Sequence, residues 1–184
     1  MASQQINENI KPILEKVKQG EKQAYALIIE QFQKPIFLYC YYMLRNQQEA
    51  EDTAQETFLK AYKYLDRFAY THSFSSWLYK IAQNCCMDVL KKRKKDSQLL
   101  SLYQTEQSGQ SERSTANDVY ECLDMLTEEE KQIILLRSLE EYSYDEIAYI
   151  LNIRAATVRK RYERIKKKLI QQKKQGVNIY EHSY

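Results

Sequence analysis

The residues with the clearest capacity for chemistry are the cations near the end of the chain. Arg159, Lys160, Arg164 and Lys167 occupy the faces of a predicted helix that its apolar residues leave free. Arginine can pair with guanine in the major groove, and arginine or lysine can neutralise phosphate. The segment therefore predicts a surface for duplex DNA. A basic, solvated helix on a bundle is the alternative, because such patterns also arise by chance.

Residues 142–169 contain the elements that would position these cations, namely two short helices joined by a tight turn. Ser143 and Glu146 have the spacing of a capping box, which predicts a helix start. Asn152 tolerates a left-handed backbone and can end that helix. The apolar residues of the second helix recur at helical spacing, at Val158, Tyr162, Ile165 and Leu169. A helix-turn-helix of this kind places its second helix in the major groove.

The composition indicates an all-α protein. The chain has 184 residues, of which only three are glycine and two are proline, and 29% are charged. Apolar residues recur every three or four positions, and no apolar–polar alternation is long enough for a strand. The net charge is only +3, so nucleic-acid binding must depend on the basic clusters at residues 91–95 and 154–174.

Several other classes of protein are disfavoured. The sequence begins without the pattern of a secretory signal, and no apolar run approaches the roughly 18 residues that span a bilayer. We therefore expect a cytoplasmic protein without direct membrane insertion. Four cysteines, at positions 40, 85, 86 and 122, do not have the spacing of metal ligands. We expect no metal or other cofactor, and interpret the cysteines as small buried residues. Because Cys85 and Cys86 are adjacent on a helix, at most one of them should face the core.

An acidic helix is predicted over residues 49–65. Its inward side would consist of Ala50, Thr53, Ala54, Thr57, Phe58, Ala61, Tyr62 and Leu65. Its outward side would consist of Glu51, Asp52, Gln55, Glu56 and Lys60. Acidic residues suit the positive end of the helix dipole. Judged by charge alone, this outward side is most simply an ordinary solvated surface.

Aromatic and basic residues follow in the next segment. Residues 66–73 predict a loop, and Ser75 or Ser76 predicts the cap of a long helix. Its outward residues would be Lys80, Asn84, Asp88 and Lys91. Bases can stack on rings while lysines follow the backbone, so this segment also suits single-stranded nucleic acid. The candidate rings are Phe68, Tyr70 and Tyr79, whereas Trp77 is assigned first to the core.

Changes in composition divide the chain into two helical domains. Residues 1–95 form the first domain, which ends in the basic run KKRKK. Residues 96–117 are rich in Ser, Gln, Glu and Thr and predict a flexible linker. Residues 118–174 form the second domain, with a further capping box at Thr127 and Glu130, and residues 175–184 predict a frayed tail. In the first domain, Gly20 should end a helix, and Pro35 predicts either a kink or two abutting helices.

Three separated segments together resemble the bacterial RNA polymerase sigma factors of the sigma-70 family, in the extracytoplasmic-function (ECF) group. These segments read QEAEDTAQETFLKAYKYLDRF, SFSSWLYKIAQNCCMDVLKKRKK and LTEEEKQIILLRSLEEYSYDEIAYILNIRAATVRKRYERIKKKL. Each segment is a weak signal, but their order and the linker make the set specific. The resemblance implies a promoter-specificity subunit without catalysis or a small-molecule substrate.

The resemblance also implies which residues bind each partner. The acidic helix would dock on the clamp helices of core RNA polymerase through Asp52, Gln55, Glu56 and Phe58. The box near position minus ten would be captured and opened by Phe68, Tyr70, Trp77, Lys80, Asn84, Lys91, Lys92 and Arg93. The box near minus thirty-five would be contacted by Thr157, Arg159, Lys160, Glu163 and Arg164. An anti-sigma protein, in many cases membrane-bound, would cover these surfaces.

Two departures from the family pattern affect the second domain. Arg154, Ala155 and Ala156 stand where the turn often has proline, an apolar residue and glycine, and Ala suits the helix start that follows. Glu163 is acidic at a base-facing position, where a carboxylate would suit the amino group of cytosine. The main rival is a stand-alone helix-turn-helix regulator that binds DNA without polymerase. A nuclease is disfavoured because the exposed acids lie on one helix turn and not around a metal.

Overall fold

The computed structural model describes the backbone of residues 2–103 and 122–181, and the side chains of residues 10–98 and 122–172. Every regular element within these ranges is helical, which confirms the predicted all-α class. The chain divides into two compact units, which we describe separately. In the first unit lie α1 (Ala2–Lys18), α2 (Tyr25–Leu44), α3 (Gln47–Lys63) and α4 (Phe74–Tyr103).

The first two helices agree with the predictions made at Gly20 and Pro35, and they settle the choice that Pro35 left open. The helix α1 ends before Gly20, whose φ of 101° lies in the left-handed region that glycine adopts without strain. The helix α2 contains Pro35 in its interior, so the chain does not form two abutting helices there. Because α2 packs against both α3 and α4, its burial stabilises the helix through the position where proline removes a hydrogen-bond donor.

The connection between α2 and α3 consists of only two residues, Arg45 and Asn46. Arg45 ends α2 in the left-handed region, at φ 57°. Asn46 caps α3, because its Oδ1 accepts a hydrogen bond from the Glu49 N–H at 2.9 Å. This cap satisfies one of the free donors of the first helical turn. The helix therefore begins at Gln47, two residues before its first acidic residue.

The core of the first unit consists of aliphatic and aromatic side chains from all four helices. Ile10 and Leu14 of α1 pack inward with Ile28 and Ile36 of α2, and all are at most 1% exposed. Cys40, Cys85 and Cys86 are buried. The expectation that at most one of the adjacent Cys85 and Cys86 faces the core was therefore wrong. In the second unit Cys122 is exposed, so the prediction of a small buried residue was wrong for this cysteine. It precedes the buried Leu123 and lies on the outer side of the same helical turn.

The helix α4 differs from the prediction at both ends. Ser73, not Ser75 or Ser76, is its cap, since the Ser73 Oγ accepts from the Ser76 N–H at 3.1 Å. The helix continues to Tyr103, seven residues beyond the predicted start of the linker at residue 96. Four of the eight residues at 96–103, namely Gln98, Leu99, Leu100 and Leu102, are of types that sustain a helix once it is nucleated. The rest of the predicted linker, residues 104–117, lies outside the described residues.

The second unit contains α5 (Glu128–Ser138), α6 (Tyr144–Leu151) and α7 (Ala155–Glu181). Both predicted capping boxes form, Thr127 with Glu130 and Ser143 with Glu146. Asn152 ends α6 in the left-handed region at φ 54°. The helix α7 runs through most of the predicted tail, to Glu181, so the prediction of fraying from residue 175 was wrong for the described backbone.

The helix-turn-helix is held together by a small apolar core and by polar contacts between α5 and α7. Residues with at most 5% exposure include Leu126, Ile133, Leu136, Ile147, Ile150, Val158 and Ile165. The Lys168 Nζ donates to the carbonyl oxygen of Met125 at 2.6 Å and contacts Glu130 at 3.2 Å. Within the described residues, no helix has the length and apolar character needed to cross a bilayer.

Candidate functional site

The outward side of α3 presents an acidic stripe. Asp52, Gln55 and Glu56 are exposed and follow one another at spacings of three and one, which places them on one face of the helix. Glu51 extends the acidic surface and forms a hydrogen bond with Gln47 at 3.0 Å. Glu56 forms an ion pair with Lys60 one turn further on, at 3.4 Å. The stripe is therefore negative near the start of α3 and partly neutralised towards its end.

Phe58 does not belong to this exposed stripe. Its side chain is only 7% exposed, and its carbonyl oxygen accepts a hydrogen bond from the Tyr25 hydroxyl at 2.8 Å. Its position two residues after Glu56 turns it towards α2, as the core pattern of the helix requires. Phe58 anchors α3 to α2 and so supports the stripe, and its assignment to polymerase binding stays a prediction in which it acts indirectly.

Leu59, not Phe58, is the apolar residue that is exposed beside the acidic stripe. It lies seven residues after Asp52 and three after Glu56, and 66% of it is exposed. An apolar side chain bordered by carboxylates is suited to contact a partner that is both apolar and basic. The sequence contained this signal, because position 59 falls outside the predicted inward set, but apolar residues were considered only as core.

The loop before α4 holds an aromatic cluster centred on Phe68. Its ring centroid lies 4.7 Å from that of Tyr70, 5.5 Å from that of Phe74 and 5.3 Å from that of Trp77. Phe68 itself is 5% exposed, whereas Tyr70 is 40% exposed. Phe68 therefore forms the buried centre of the cluster, and Tyr70 is the member whose ring is exposed to solvent.

Tyr70 is held in place by α1. Its hydroxyl donates to the Glu15 Oε1 at 2.6 Å, and the Lys18 Nζ lies 4.7 Å from the ring centroid. Its backbone is left-handed, with φ 55°, a conformation that a bulky residue adopts only when its surroundings enforce it. Burial and the hydrogen bond to Glu15 raise the pKa of Tyr70 to about 12, so its hydroxyl keeps its proton at neutral pH.

A cavity of about 360 Å³ opens beside this cluster. It is lined by Lys11, Leu14, Phe68, Tyr70, His72, Ser73 and Phe74. A cavity of about 150 Å³ is sufficient for benzene, so this one can admit a planar aromatic ring. The contribution of α1 was missed by sequence reasoning, because its residues lie more than fifty positions before the loop and no local pattern links them.

The helix α4 presents polar side chains on its outer face. Asn84 is exposed, and Lys80 and Trp77 are half-buried. Tyr79 is fully buried, with its ring centroid 5.4 Å from that of Tyr39, so the suggestion that it stacks on a base was wrong. Periodicity explains the difference, since Tyr79 follows the core residue Leu78 and shares the inward side with Ala82 and Cys86.

The basic run at residues 91–95 contains two kinds of cation. Lys91, Lys92, Lys94 and Lys95 are exposed. Arg93 instead donates from Nη1 to the carbonyl oxygen of Leu44 at 2.8 Å and from Nε to the Glu49 Oε1 at 3.2 Å, and it forms an ion pair with Glu49. Burial lowers the pKa of Arg93. Arg93 thus ties α4 to the junction of α2 and α3, and its assignment to the minus-ten DNA-binding surface stays a prediction.

Replacing Arg93 with alanine should therefore lower stability. The change leaves the Leu44 carbonyl and the Glu49 carboxylate without this donor, for an expected loss of about 1–2 kcal/mol in the free energy of unfolding. Urea unfolding followed by the fluorescence of Trp77, the sole tryptophan, measures this in the first unit. Lys92→Ala is the matched control and should change stability by less than about 0.5 kcal/mol. Equal effects of the two changes would contradict the structural role of Arg93.

The cations of α7 also divide into two groups. Arg161 forms an ion pair with Glu129 of α5 at 2.5 Å, and Lys168 pairs with Glu130, so both hold the two helices together. Arg159, Lys160, Arg164 and Lys167 are exposed. The second group lies away from the side that Val158 and Ile165 bury. The structure thus brings the predicted DNA-contacting cations together on one exposed surface.

Thr157 and Glu163 complete this surface. Thr157 is half-buried in the first turn of α7, where its N–H donates to the Arg154 carbonyl oxygen at 2.9 Å. Glu163 is exposed and forms an ion pair with Lys166 at 2.8 Å. The hydrogen bond from Lys166 to Glu163 raises the pKa of Lys166. Glu163 therefore carries its own counter-charge on the exposed surface.

These features define an all-α protein with an acidic helix, a ring-lined cavity and a helix-turn-helix that carries exposed cations, the arrangement with which helix-turn-helix proteins contact DNA. The profile of Sigma-70 region 2 matches residues 28–96, and that of Sigma-70, region 4 matches residues 116–169. The chain belongs to the sigma-70 family of RNA polymerase sigma factors, in the ECF group. The resemblance stated from the sequence is thereby confirmed.

Similar proteins agree with this assignment. ECF RNA polymerase sigma factor SigW of Bacillus subtilis is 33% identical over 171 residues, which span 84% of this chain and 91% of that protein. ECF RNA polymerase sigma-E factor of Escherichia coli K12 is 30% identical over 176 residues, spanning 86% and 90%.

Two solved structures share the fold. The sigma factor RpoE of Bartonella quintana, in complex with the anti-sigma factor NepR, has a TM-score of 0.69 at 22% identity, over 82% of this chain and 96% of that one. CnrH, in complex with the cytosolic domain of CnrY, has a TM-score of 0.67 at 20% identity, over 87% and 94%.

Proposed function

We propose that this chain is an alternative sigma factor that binds core RNA polymerase, directs it to particular promoters and helps to open the DNA. The observation that carries this proposal is the separation of charge over two units of the sigma-70 family. The acidic stripe lies on α3 in the first unit, whereas exposed cations lie on α7 in the second. A protein with these surfaces can contact a basic partner and duplex DNA through different parts of the chain.

The polymerase contact is assigned to Asp52, Gln55 and Glu56, with Leu59 beside them. Their exposure on one helical face supports this assignment. Carboxylates at the rim would steer the encounter with a basic surface, and an exposed leucine would add apolar contact area. Phe58 would act indirectly, by fixing α3 against α2.

The minus-ten contact is assigned to the cavity beside Tyr70 and to the outer face of α4. Extruding a base from the duplex costs a few kcal/mol, which stacking and hydrogen bonds in a pocket can offset. Tyr70 offers an exposed ring at the cavity, and the Asn84 amide can both donate to and accept from a base edge. Trp77 and Lys80 lie half-buried on the same helix and would contact the unpaired DNA strand. The four exposed lysines of residues 91–95 would hold phosphates.

The minus-thirty-five contact is assigned to Thr157, Arg159, Lys160, Glu163 and Arg164. The exposed arginines and lysine suit phosphate and guanine, and the Glu163 carboxylate suits a cytosine amino group. Because Glu163 pairs with Lys166, contact with a base would require it to share or exchange that partner.

An anti-sigma protein is the expected regulatory partner. RpoE of Bartonella quintana was solved in complex with the anti-sigma factor NepR, and CnrH in complex with a domain of CnrY. A protein that covered the acidic stripe of α3 would compete directly with polymerase. As a subunit of the polymerase holoenzyme, this chain would act in the cytoplasm, without catalysis of its own.

Transcription in vitro tests the proposal. Purified chain and core polymerase are incubated with a pool of genomic promoter fragments, and the transcripts are compared with those made by core alone. A sigma factor should yield specific start sites only when both components are present. DNA binding that is equally tight and specific without polymerase would contradict the proposal and favour the stand-alone regulator.

Replacing Arg164 with alanine should weaken upstream recognition more than promoter melting. Loss of one base-contacting arginine is expected to lower holoenzyme affinity by about 1–3 kcal/mol on a promoter with an intact upstream box. The same promoter with a scrambled upstream box is the control. On this control, holoenzymes with Arg164→Ala and with wild-type chain should bind with equal affinity. Equal losses on both templates would contradict the assignment of Arg164 to the upstream box.

A further inference from the structure

Tyr144, the first residue of α6, lies against two guanidinium groups. The Cζ of Arg137 is 5.2 Å from the centroid of the Tyr144 ring, and the Cζ of Arg159 is 5.4 Å from it. Both distances fall within the roughly 6 Å over which the π electrons of a ring attract a cation. Neither Tyr144 nor Arg137 has a place in the functional assignments above.

The Tyr144 ring is braced by its surroundings. Arg137 is fixed, because its Nη1 donates to the carbonyl oxygen of Tyr142 at 2.8 Å. Tyr162 of α7 lies on another side, with a centroid separation of 6.0 Å and an interplanar angle of 57°. Tyr144 is half-buried, whereas Arg159 is exposed. Because the Tyr144 ring is held by Arg137 and Tyr162, its contact with Arg159 favours one orientation of this exposed side chain.

We propose that Tyr144 is a positioning residue for DNA recognition, whose ring holds the Arg159 guanidinium in place before DNA arrives. The inference rests on the proposed function, in which Arg159 contacts the upstream box. A free arginine side chain loses rotamer freedom when it binds, and this loss opposes binding. An arginine already held on a ring loses less. Tyr144 would thus increase DNA affinity without contacting DNA.

The mode of attachment leaves Arg159 able to bind. A ring contact uses no hydrogen-bond acceptor, so the five N–H donors of the guanidinium remain available to phosphate or guanine. Arg161 shows the contrasting mode, in which the Glu129 carboxylate holds the arginine and neutralises it. Two guanidinium groups on one ring also repel each other, and an approaching phosphate would relieve that repulsion.

The test is a double-mutant cycle on affinity for duplex DNA. Holoenzyme is titrated by fluorescence anisotropy against a labelled duplex that wild-type holoenzyme has selected from random upstream sequences. Tyr144→Leu should weaken binding about two- to five-fold, the effect expected for one exposed cation–π contact. Tyr144→Phe keeps the ring and should bind as wild type does. In an Arg159→Ala background, Tyr144→Leu should cause no further loss.

Control variants separate positioning from folding. Glu129→Gln removes the carboxylate that pairs with Arg161 and leaves the Tyr144 ring untouched, so its effect should be the same with and without Arg159. Tyr144→Met keeps apolar bulk and should match Tyr144→Leu, with circular dichroism melting as the folding check. The inference is overturned if Tyr144→Phe is as weak as Tyr144→Leu, or if Tyr144→Leu loses equally with and without Arg159. Failure of the wild-type holoenzyme to select any duplex would contradict the proposed function itself.

Discussion

Replacing both Asp52 and Glu56 with lysine is expected to abolish co-purification of this chain with core RNA polymerase. The two carboxylates are exposed and four residues apart on α3, so both would face the same patch of the partner. Reversal converts attraction to a basic patch into like-charge repulsion, which costs several kcal/mol in an interface. We therefore expect affinity to fall by at least about 100-fold. Pull-down and sedimentation with purified core polymerase measure the loss.

A charge-matched variant shows whether position or net charge is responsible. Glu21 and Glu30 are exposed outside α3, and their change to lysine alters the net charge by the same amount. The Glu21→Lys/Glu30→Lys variant should retain polymerase binding. Both variants should unfold near the wild-type urea concentration, because none of the four carboxylates is buried. Retention of binding by the Asp52→Lys/Glu56→Lys variant would remove α3 from the docking assignment.

Replacing Asn84 with alanine is expected to reduce open-complex formation by about tenfold while leaving assembly with core polymerase intact. The tenfold estimate corresponds to about 1.4 kcal/mol, as for loss of hydrogen bonds to one captured base. Asn84 is exposed on α4, so the change should leave the fold stable. Permanganate footprinting of unpaired thymines measures opening, and pull-down measures assembly.

Asp88 provides the comparison for Asn84. It is exposed one helical turn further along the same face of α4, and its carboxylate can only accept hydrogen bonds. Asp88→Ala should leave opening unchanged or slightly improved, since it removes a negative charge near the strand. If the two alanine variants open promoters equally well, Asn84 does not capture a base.

Local features of the fold were predictable because their causes are local. The capping boxes at Thr127 and Ser143 and the left-handed Asn152 depend on residues within four positions of one another, and all three form as predicted. The exposed and buried sides of α3 follow from helical periodicity in the same way, except that Tyr62, predicted on the inward side, is 38% exposed. Such features require only the sequence of one helix and its ends.

The roles of Arg93 and Tyr70 depend on distant parts of the chain and were not predictable. Arg93 stands among four lysines, and only the folded structure brings it to Leu44 and Glu49, more than forty positions earlier. Tyr70 owes its position to Glu15 of α1, 55 positions away. Charge and ring type are visible in a sequence, but their partners depend on tertiary packing.

Because α4 is one continuous helix from Phe74 to Tyr103, it fixes the distance between Asn84 and the lysines at residues 91–95. A helix rises 1.5 Å per residue, so Asn84 and Lys95 are separated by about 16 Å along one rigid axis. Phosphates of one strand recur about every 3.4 Å along duplex DNA, so this length corresponds to roughly five nucleotides. If Asn84 captures a base and Lys95 binds a phosphate, as proposed, the distance between these two contacts would follow the number of helical residues between them. Inserting one helical turn between these residues would move the lysine–phosphate contacts by one to two nucleotides along the promoter.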